Sequence, residues 1–179
     1  MHPVDEPIEV VAARSEWLAE GRALRHDLCA ALGVAPATVE HIGSTSVPGL
    51  AAKPVIDLMV GCAETERRAV AEQITDLTGY EYLRGHGAPG REYLRRRTTL
   101  PWSNAHVVEL NGDLWRDNLA LRDFLRSAPE AVQEYAAAKR LAAEGTGWLR
   151  AYSAAKADTV VALLERARHW ARAQGHARS

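Results

Sequence analysis

The sequence predicts an α+β protein in which a mixed β-sheet is flanked by helices and followed by a helical C-terminal part. Three observations predict this class. Segments typical of strands occupy the first two thirds of the 179 residues, helical segments alternate with them, and helical spacing alone continues over about 111–174. We expect a single domain over residues 1–179, with the sheet in about 1–110 and the helical part in about 111–174.

In the sheet-containing part, strands are predicted where apolar residues alternate or run together, and helices where they recur every three to four positions. The predicted strands are residues 8–11, 39–42, 55–60, 80–83, 91–99 and 105–110. One helix is predicted from the N-cap Ser15 to Gly33, and a second over 64–77 with Gly79 closing it. The segment 85–90 is predicted as a turn-rich loop, and 101–104 as a break.

The helical part begins after Asn111-Gly112, which we interpret as a strand-to-helix connection rather than a hairpin turn. Three helices are predicted: residues 113–126, a helix that Ser127 and Pro129 cap and begin, and a last helix over 148–173. The helices that carry Lys139 and Lys156 show too little patterning for a functional prediction.

Composition excludes several classes of function. A formal net charge of −1 gives no electrostatic case for a nucleic-acid partner. No run approaches the ~18 apolar residues of a membrane helix, so we expect no membrane association and a cytoplasmic location. The two cysteines, Cys29 and Cys62, form no CxxC motif. Nineteen arginines accompany only three lysines, which makes Lys53 conspicuous.

Residues 39–60 organise the chain, because an acidic residue interrupts an otherwise apolar predicted strand there. Asp57 lies within residues 55–60, where every other side chain is apolar. A carboxylate in a buried strand requires a metal, a cationic partner or a water-filled cleft. A short distance before it, the small and hydroxyl-bearing residues Gly43 to Ser46 offer backbone amides and hydroxyls to an anion. The pair predicts a phosphate site beside a buried acid.

These residues also carry a resemblance. The string His-Ile-Gly-Ser-Thr-Ser-Val-Pro-Gly-Leu at 41–50, followed by Lys-Pro-Val-Ile-Asp at 53–57, resembles the signature of the GrpB-like family. That family has the nucleotidyltransferase superfamily fold, and related modules are appended to bacterial dephospho-coenzyme A kinases. The superfamily pattern is Gly-Ser, a spacer of nine to thirteen residues and then Asp-x-Asp. Twelve residues separate Ser44 from Asp57, but Met59 occupies the position of the second acid.

The resemblance covers most of the chain and is specific over residues 40–57. It implies a nucleotidyltransferase-like mixed sheet with flanking helices. It also implies that Asp57 is the catalytic residue and holds Mg or Mn against a nucleotide phosphate. The residues expected to bind the phosphate or nucleotide are Gly43, Ser44, Thr45, Ser46 and Lys53. His106 and His41 are further candidate metal ligands, and Glu40 and Glu109 are alternative acids.

Each candidate also has a structural interpretation. Ser44 is a possible N-cap, Asp57 a turn cap or a partner for an arginine, and each histidine a satisfied polar residue near the sheet edge. The arginines at 91, 95 and 97 are interpreted first as a solvated strand face and second as phosphate ligands. Tyr93 and Trp102 suit base stacking or hydrophobic cover equally well.

The function expected from the sequence is binding of a nucleotide or a related phosphorylated small molecule. Metal-dependent nucleotidyl transfer to an unidentified acceptor would accompany binding if the site is catalytic. The alternative is a non-catalytic ligand-binding or regulatory module with a degenerate nucleotidyltransferase site. Met59 favours this alternative, since it removes the paired acid.

Overall fold

The structure is a computed structural model that describes residues 5–86 and 89–177, with the side chains of Pro36, His176 and Ala177 left out. Six helices, five strands and three short 3₁₀ turns are described. The helices are α1 Glu16–Leu32, α2 Arg67–Thr78, α3 Asp113–Ser127, α4 Pro129–Glu144, α5 Leu149–Ala155 and α6 Ala157–Ala177. The strands are β1 Val39–Ile42, β2 Val55–Cys62, β3 Glu81–Tyr82, β4 Arg91–Arg96 and β5 Trp102–Glu109.

The five strands form one mixed sheet in the order β1-β2-β5-β4-β3. The central pair, β2 and β5, is parallel, and the other pairs are antiparallel. In this register Asp57 lies opposite Asn104, and Met59 lies opposite His106. The predicted class is confirmed: a mixed sheet is flanked by helices and followed by a helical part, consistent with a nucleotidyltransferase-like fold.

Alternation along β2 gives the sheet two different faces. Ile56, Leu58 and Val60 point to the larger core, where α1 and α2 cover the sheet with residues such as Trp17 and Ile74. The other face begins with a small apolar cluster in which Met59 packs with Ile42, Val108 and Trp115 of α3. Asp57 lies on this second face, two residues before Met59, where the cover of α3 ends and a cleft begins.

The helical part is tied to the sheet through the loop that precedes β2. Val47 and Leu50 from that loop pack into a cluster with Phe124 of α3, Tyr135 of α4 and Leu163 of α6. This packing places α4 and α5 over the open end of the second sheet face. Among the described residues, no helix is long and apolar enough to cross a membrane.

Several predicted boundaries were wrong. Residues 8–11 form no strand: Val11 makes an isolated bridge with Ala52, and Pro7, just before this segment, makes one with Trp148. Strand β5 begins at Trp102, so part of the predicted break pairs in the sheet.

The helical part also departs from its prediction at two points. Ser127 ends α3 and donates its hydroxyl to the carbonyl oxygen of Phe124, whereas Pro129 does begin α4. The predicted last helix is interrupted at Lys156, giving α5 and α6, which turns the Lys156 side chain toward the cleft.

Candidate functional site

A cleft of about 400 Å³ opens between the second sheet face and helices α3 to α6. It brings together most of the residues that the sequence predicted as a site. The predicted residues that line it are Gly43, Ser44, Thr45, Lys53, Asp57 and His106. The remaining two predicted residues, Ser46 and His41, do not line it.

The turn between β1 and β2 begins with a glycine for two reasons. Gly43 has φ 69° and ψ −170°, a backbone conformation that is essentially restricted to glycine. A Cβ atom at this position would lie 2.6 Å from Oδ2 of Asp57. The turn can therefore approach the carboxylate closely only because residue 43 lacks a side chain. The 3₁₀ turn Ser44–Ser46 follows, and its backbone bonding starts with the amide of Ser46 donating to the carbonyl oxygen of Gly43.

Asp57 is held by two neighbours on strand β5. Its Oδ1 accepts a hydrogen bond of 2.7 Å from Nδ2 of Asn104 and one of 3.3 Å from Nε2 of His106. Burial raises the pKa of Asp57, but the hydrogen bonds from His106 and Asn104 and the charge of Lys53 outweigh it, so the pKa lies well below its ordinary value. Asp57 is therefore an ionised carboxylate whose side chain is 27% exposed.

The amide of Asn104 is oriented by a second layer of contacts. Its Oδ1 accepts from the hydroxyl of Tyr93 at 3.1 Å and from Nη2 of Arg97 at 3.0 Å, which leaves Nδ2 to face Asp57. Arg97 is in turn held by the two carboxylate oxygens of Glu6, at 2.9 and 3.1 Å. Arg97 thus supports the site through Asn104, while Tyr93 stacks on the ring of His106 with the centroids 5.3 Å apart.

His106 acts in this network as a neutral ring. Burial lowers its pKa, the hydrogen bond to Asp57 opposes that effect, and the nearby charge of Arg91 adds to it. A neutral ring that donates from Nε2 has an unprotonated Nδ1, and this atom is buried with no hydrogen-bond partner. The ring therefore orients Asp57 with a single donated hydrogen bond.

Cations surround the carboxylate. All three lysines of the chain, Lys53, Lys139 and Lys156, line the cleft together with Arg91. Burial lowers the pKa of Lys53, and it lowers the pKa of Arg91 as well. Among the described residues that line the cleft, Asp57 is the one carboxylate. The cleft is therefore strongly electropositive although the whole chain is nearly neutral.

Lys139 is the most deeply placed of these cations, with 1% of the residue exposed. Its Nζ donates to the hydroxyl oxygen of Ser44 and, at 2.9 Å, to the carbonyl oxygen of Ala51. It also lies 4.4 Å from the ring centroid of Tyr135. Burial, with the charge of Lys156 adding to it, lowers the pKa of Lys139 well below its ordinary value. Lys139 therefore joins α4 to the predicted phosphate-binding turn at Ser44 and to the loop before β2 at Ala51.

The two predicted residues outside the cleft have structural partners. The hydroxyl of Ser46 donates to the carbonyl oxygen of Gly43 at 2.6 Å and closes the turn. His41 points to the opposite sheet face, where its ring packs against Gly21 of α1. Its Nε2 lies 3.0 Å from the hydroxyl of Thr45, which donates to the carbonyl oxygen of Val55. His41 therefore contributes to the core and to the shape of the turn.

The donors in the cleft do not fit a two-metal centre. Within the described residues, no group of three or more His, Cys, Asp or Glu side chains is placed to hold a metal ion. Met59 shares the face of Asp57, as strand alternation predicts, but it is fully buried beneath Trp115. Glu40 is paired with Arg122 at 2.7 Å, Glu109 is exposed, and neither lines the cleft.

Sequence reasoning missed Asn104, Lys139 and Lys156 as site residues. A signal for Lys139 was present, because it follows Val132 and Tyr135 at helical spacing and so lies on the buried stripe of α4. A charged residue on the apolar face of a helix indicates a site in the same way as Asp57 does in an apolar strand, because a buried charge requires a compensating partner. The rarity of lysine in an arginine-rich chain was a second signal, and it applied to all three lysines.

The mixed sheet, the Gly-Ser turn and the acid on the neighbouring strand are consistent with the nucleotidyltransferase-like fold class, and the cleft holds one acid and several cations. Within that class, the chain belongs to the GrpB family: the family described as GrpB protein matches residues 7–166. The crystal structure of conserved protein GrpB from Enterococcus faecalis superposes with a TM-score of 0.76 and 28% identity, covering 90% of this chain and 99% of that one.

Curated relatives support the same assignment. A UPF0157 protein of Deinococcus radiodurans is 36% identical over 149 residues, which are 80% of this chain and 74% of the relative. UPF0157 protein YqkA of Bacillus subtilis is 26% identical over 171 residues, 95% of this chain, and the chain spans about half (50%) of that relative's length. A dephospho-CoA kinase of Mycolicibacterium paratuberculosis is 28% identical in an alignment of length 203 that covers 94% of this chain and 48% of the kinase.

Proposed function

We propose that the cleft binds a phosphorylated small molecule, with nucleotides and coenzyme A precursors as the first candidates. The observation that carries the proposal is the convergence of Lys53, Lys139, Lys156 and Arg91 around the Gly-Ser turn. Grouped cations are costly in a partly buried cleft, because each disfavours its neighbours, and a bound phosphate would offset that cost. The similarity to part of a dephospho-CoA kinase suggests the coenzyme A precursors.

The turn supplies the complementary neutral contacts. Ser44 already accepts a hydrogen bond from Lys139, so its own hydroxyl hydrogen is available to a phosphate oxygen. Lys53 and Arg91 reach the same cleft from the loop before β2 and from β4, while Lys156 reaches it from the break between α5 and α6. Lys156 also lies over the rings of Tyr135 and Tyr152, at 5.8 and 5.4 Å, where an apolar part of the ligand can pack.

We propose binding rather than nucleotidyl transfer as the function. Transfer by two metals requires several acids that hold the cations about 3.5–4 Å apart. In the described cleft Asp57 is the one carboxylate, and the neighbouring acid position is a buried methionine. Pyrophosphate release from a nucleotide by the unaltered protein, lost on Asp57→Ala, would contradict this choice.

The test is a thermal-shift screen of nucleotides and coenzyme A precursors, with and without Mg or Mn, followed by titration calorimetry on each hit. Lys53→Met should weaken binding about 10- to 100-fold, since a hydrogen bond to a charged group contributes about 1.5–3 kcal/mol. Arg140→Met is the matched control, because Arg140 is an exposed cation next to Lys139 that does not line the cleft. Equal affinities of the two variants would show that the cleft is not the binding site.

A further inference from the structure

We infer that the lysines and Arg91 take the place of divalent cations in this cleft, so that it binds a diphosphate-bearing ligand in its metal-free form. This inference rests on the proposed function and specifies it further. It departs from the metal-bound site that the resemblance implies. The observations that carry it are the state of the Asp57 carboxylate, the burial of Met59, and the charge balance of the cleft.

One oxygen atom of the Asp57 carboxylate is already engaged. Oδ1 accepts from Asn104 and His106, whereas Oδ2 faces the turn, where a Cβ atom at Gly43 would lie 2.6 Å from it. Magnesium bound to protein takes one or two carboxylates and completes an octahedron with water and phosphate oxygens at 2.0–2.1 Å. A lone carboxylate that commits one oxygen atom to two side-chain donors leaves a single oxygen atom for that octahedron, so it is a weak ligand on its own.

The position of the second acid offers no alternative ligand. Met59 is fully buried and packs with Ile42, Val108 and Trp115. Its register partner on β5 is His106, whose Nε2 is directed at Asp57. The apolar cover of α3 therefore fills the place where a second metal-binding carboxylate would lie.

The charge balance indicates the class of ligand. Four cationic side chains and one carboxylate line the described cleft. Burial lowers the pKa of Lys139, and a bound anion opposes that effect by favouring the charged form, so the occupied cleft has a formal excess of three positive charges. A phosphate monoester carries about 1.5 to 2 negative charges at pH 7 and would leave part of the excess unbalanced. A diphosphate group comes closer to balance, and its two phosphates can contact cations from both walls of the cleft.

Inorganic pyrophosphate is the probe for this inference, and its binding to the whole protein is measured by calorimetry in EDTA and in excess Mg. If lysines replace the metal, Mg should weaken binding at least several-fold, because it occupies the phosphate oxygens and cancels their charge. A metal-dependent site behaves in the opposite way, with binding that appears or strengthens when Mg is added. This comparison uses the unaltered chain and is independent of any variant's folding.

A second measurement uses Asp57→Asn. With no metal to hold, this change removes a negative charge from beside the phosphates, so pyrophosphate affinity in EDTA should rise several-fold. Glu109→Gln is the charge-matched control, an exposed carboxylate on β5 outside the cleft, and it should leave affinity unchanged. Loss of binding in Asp57→Asn together with a requirement for Mg would overturn the inference and leave the proposed function intact. Absence of pyrophosphate binding in both buffers would also overturn it, and the nucleotide screen would then decide the proposed function separately.

Discussion

Replacing Gly43 with alanine should destabilise the protein by about 3 kcal/mol and abolish ligand binding in the cleft. The backbone conformation at φ 69° and ψ −170° costs a residue with a Cβ atom about 1–3 kcal/mol. The added methyl group would also lie 2.6 Å from Oδ2 of Asp57, which forces either the turn or the carboxylate to move. Urea denaturation measures the free energy of unfolding, and calorimetry with the ligand identified in the screen measures binding.

Gly49 provides the matched control for this prediction. It lies in the same connection, has φ 77°, and has no atom within 4 Å of the Cβ position. Gly49→Ala should therefore show only the backbone cost, on the order of 1 kcal/mol. Asp57→Ala should relieve part of the effect of Gly43→Ala, because it removes the atom that the methyl group meets. Equal losses for the two glycine variants, with no rescue by Asp57→Ala, would mean that the close approach is unimportant.

The second large effect concerns pH. Burial lowers the pKa of His41 from 6.5 to about 4, Asp57 opposes this, and the charges of Arg126 and Arg122 add to it. Below pH 6.5, His41 is protonated in the unfolded chain but stays neutral in the folded protein. The contribution of His41 to the free energy of unfolding should therefore fall from about pH 6.5 down to about pH 4 and then level off. At 1.36 kcal/mol for each pKa unit, the loss amounts to about 3 kcal/mol.

Urea denaturation at a series of pH values tests this prediction. His106 contributes with the same sign, since its pKa is also lowered, so the comparison must be made with a His41→Gln variant. That variant should be less stable at pH 7, because it disturbs the packing on Gly21, and its stability should fall less steeply between pH 6.5 and 4. His26→Gln is the control, as the His26 side chain is 84% exposed. A parallel pH profile for His41→Gln and the unaltered protein would refute the buried, neutral state of His41.

The sequence by itself determined the fold class, the Gly-Ser turn and the neighbouring acid. These features depend on local patterns: alternation identifies strands, three-to-four spacing identifies helices, and a lone Asp57 in an apolar strand indicates a site. Gly33 and Gly79 likewise end their helices in the left-handed conformation, as their positions predicted. The family resemblance rested on the same stretch and was confirmed by the match over residues 7–166.

Only the tertiary structure decided which side chains share the cleft. His41 and Asp57 were both predicted as metal ligands, but β1 and β2 are paired so that their side chains project from opposite faces of the sheet. Asn104 reaches Asp57 because the parallel register of β2 and β5 places them side by side, although 47 positions separate them in the chain. Spacing within one strand fixes a face, whereas the register between strands depends on long-range packing.

In the helical part too, tertiary packing decides which side chains reach the cleft, as the lysines show. Lys139 reaches Ser44 across 95 positions because Val47 and Leu50 pack against α3, α4 and α6 and so bring α4 over the turn. Lys156 enters the cleft because the predicted last helix breaks at that residue. Composition made Lys53 conspicuous in an arginine-rich chain, but only the packing of the helices on the open sheet face placed all three lysines around one carboxylate.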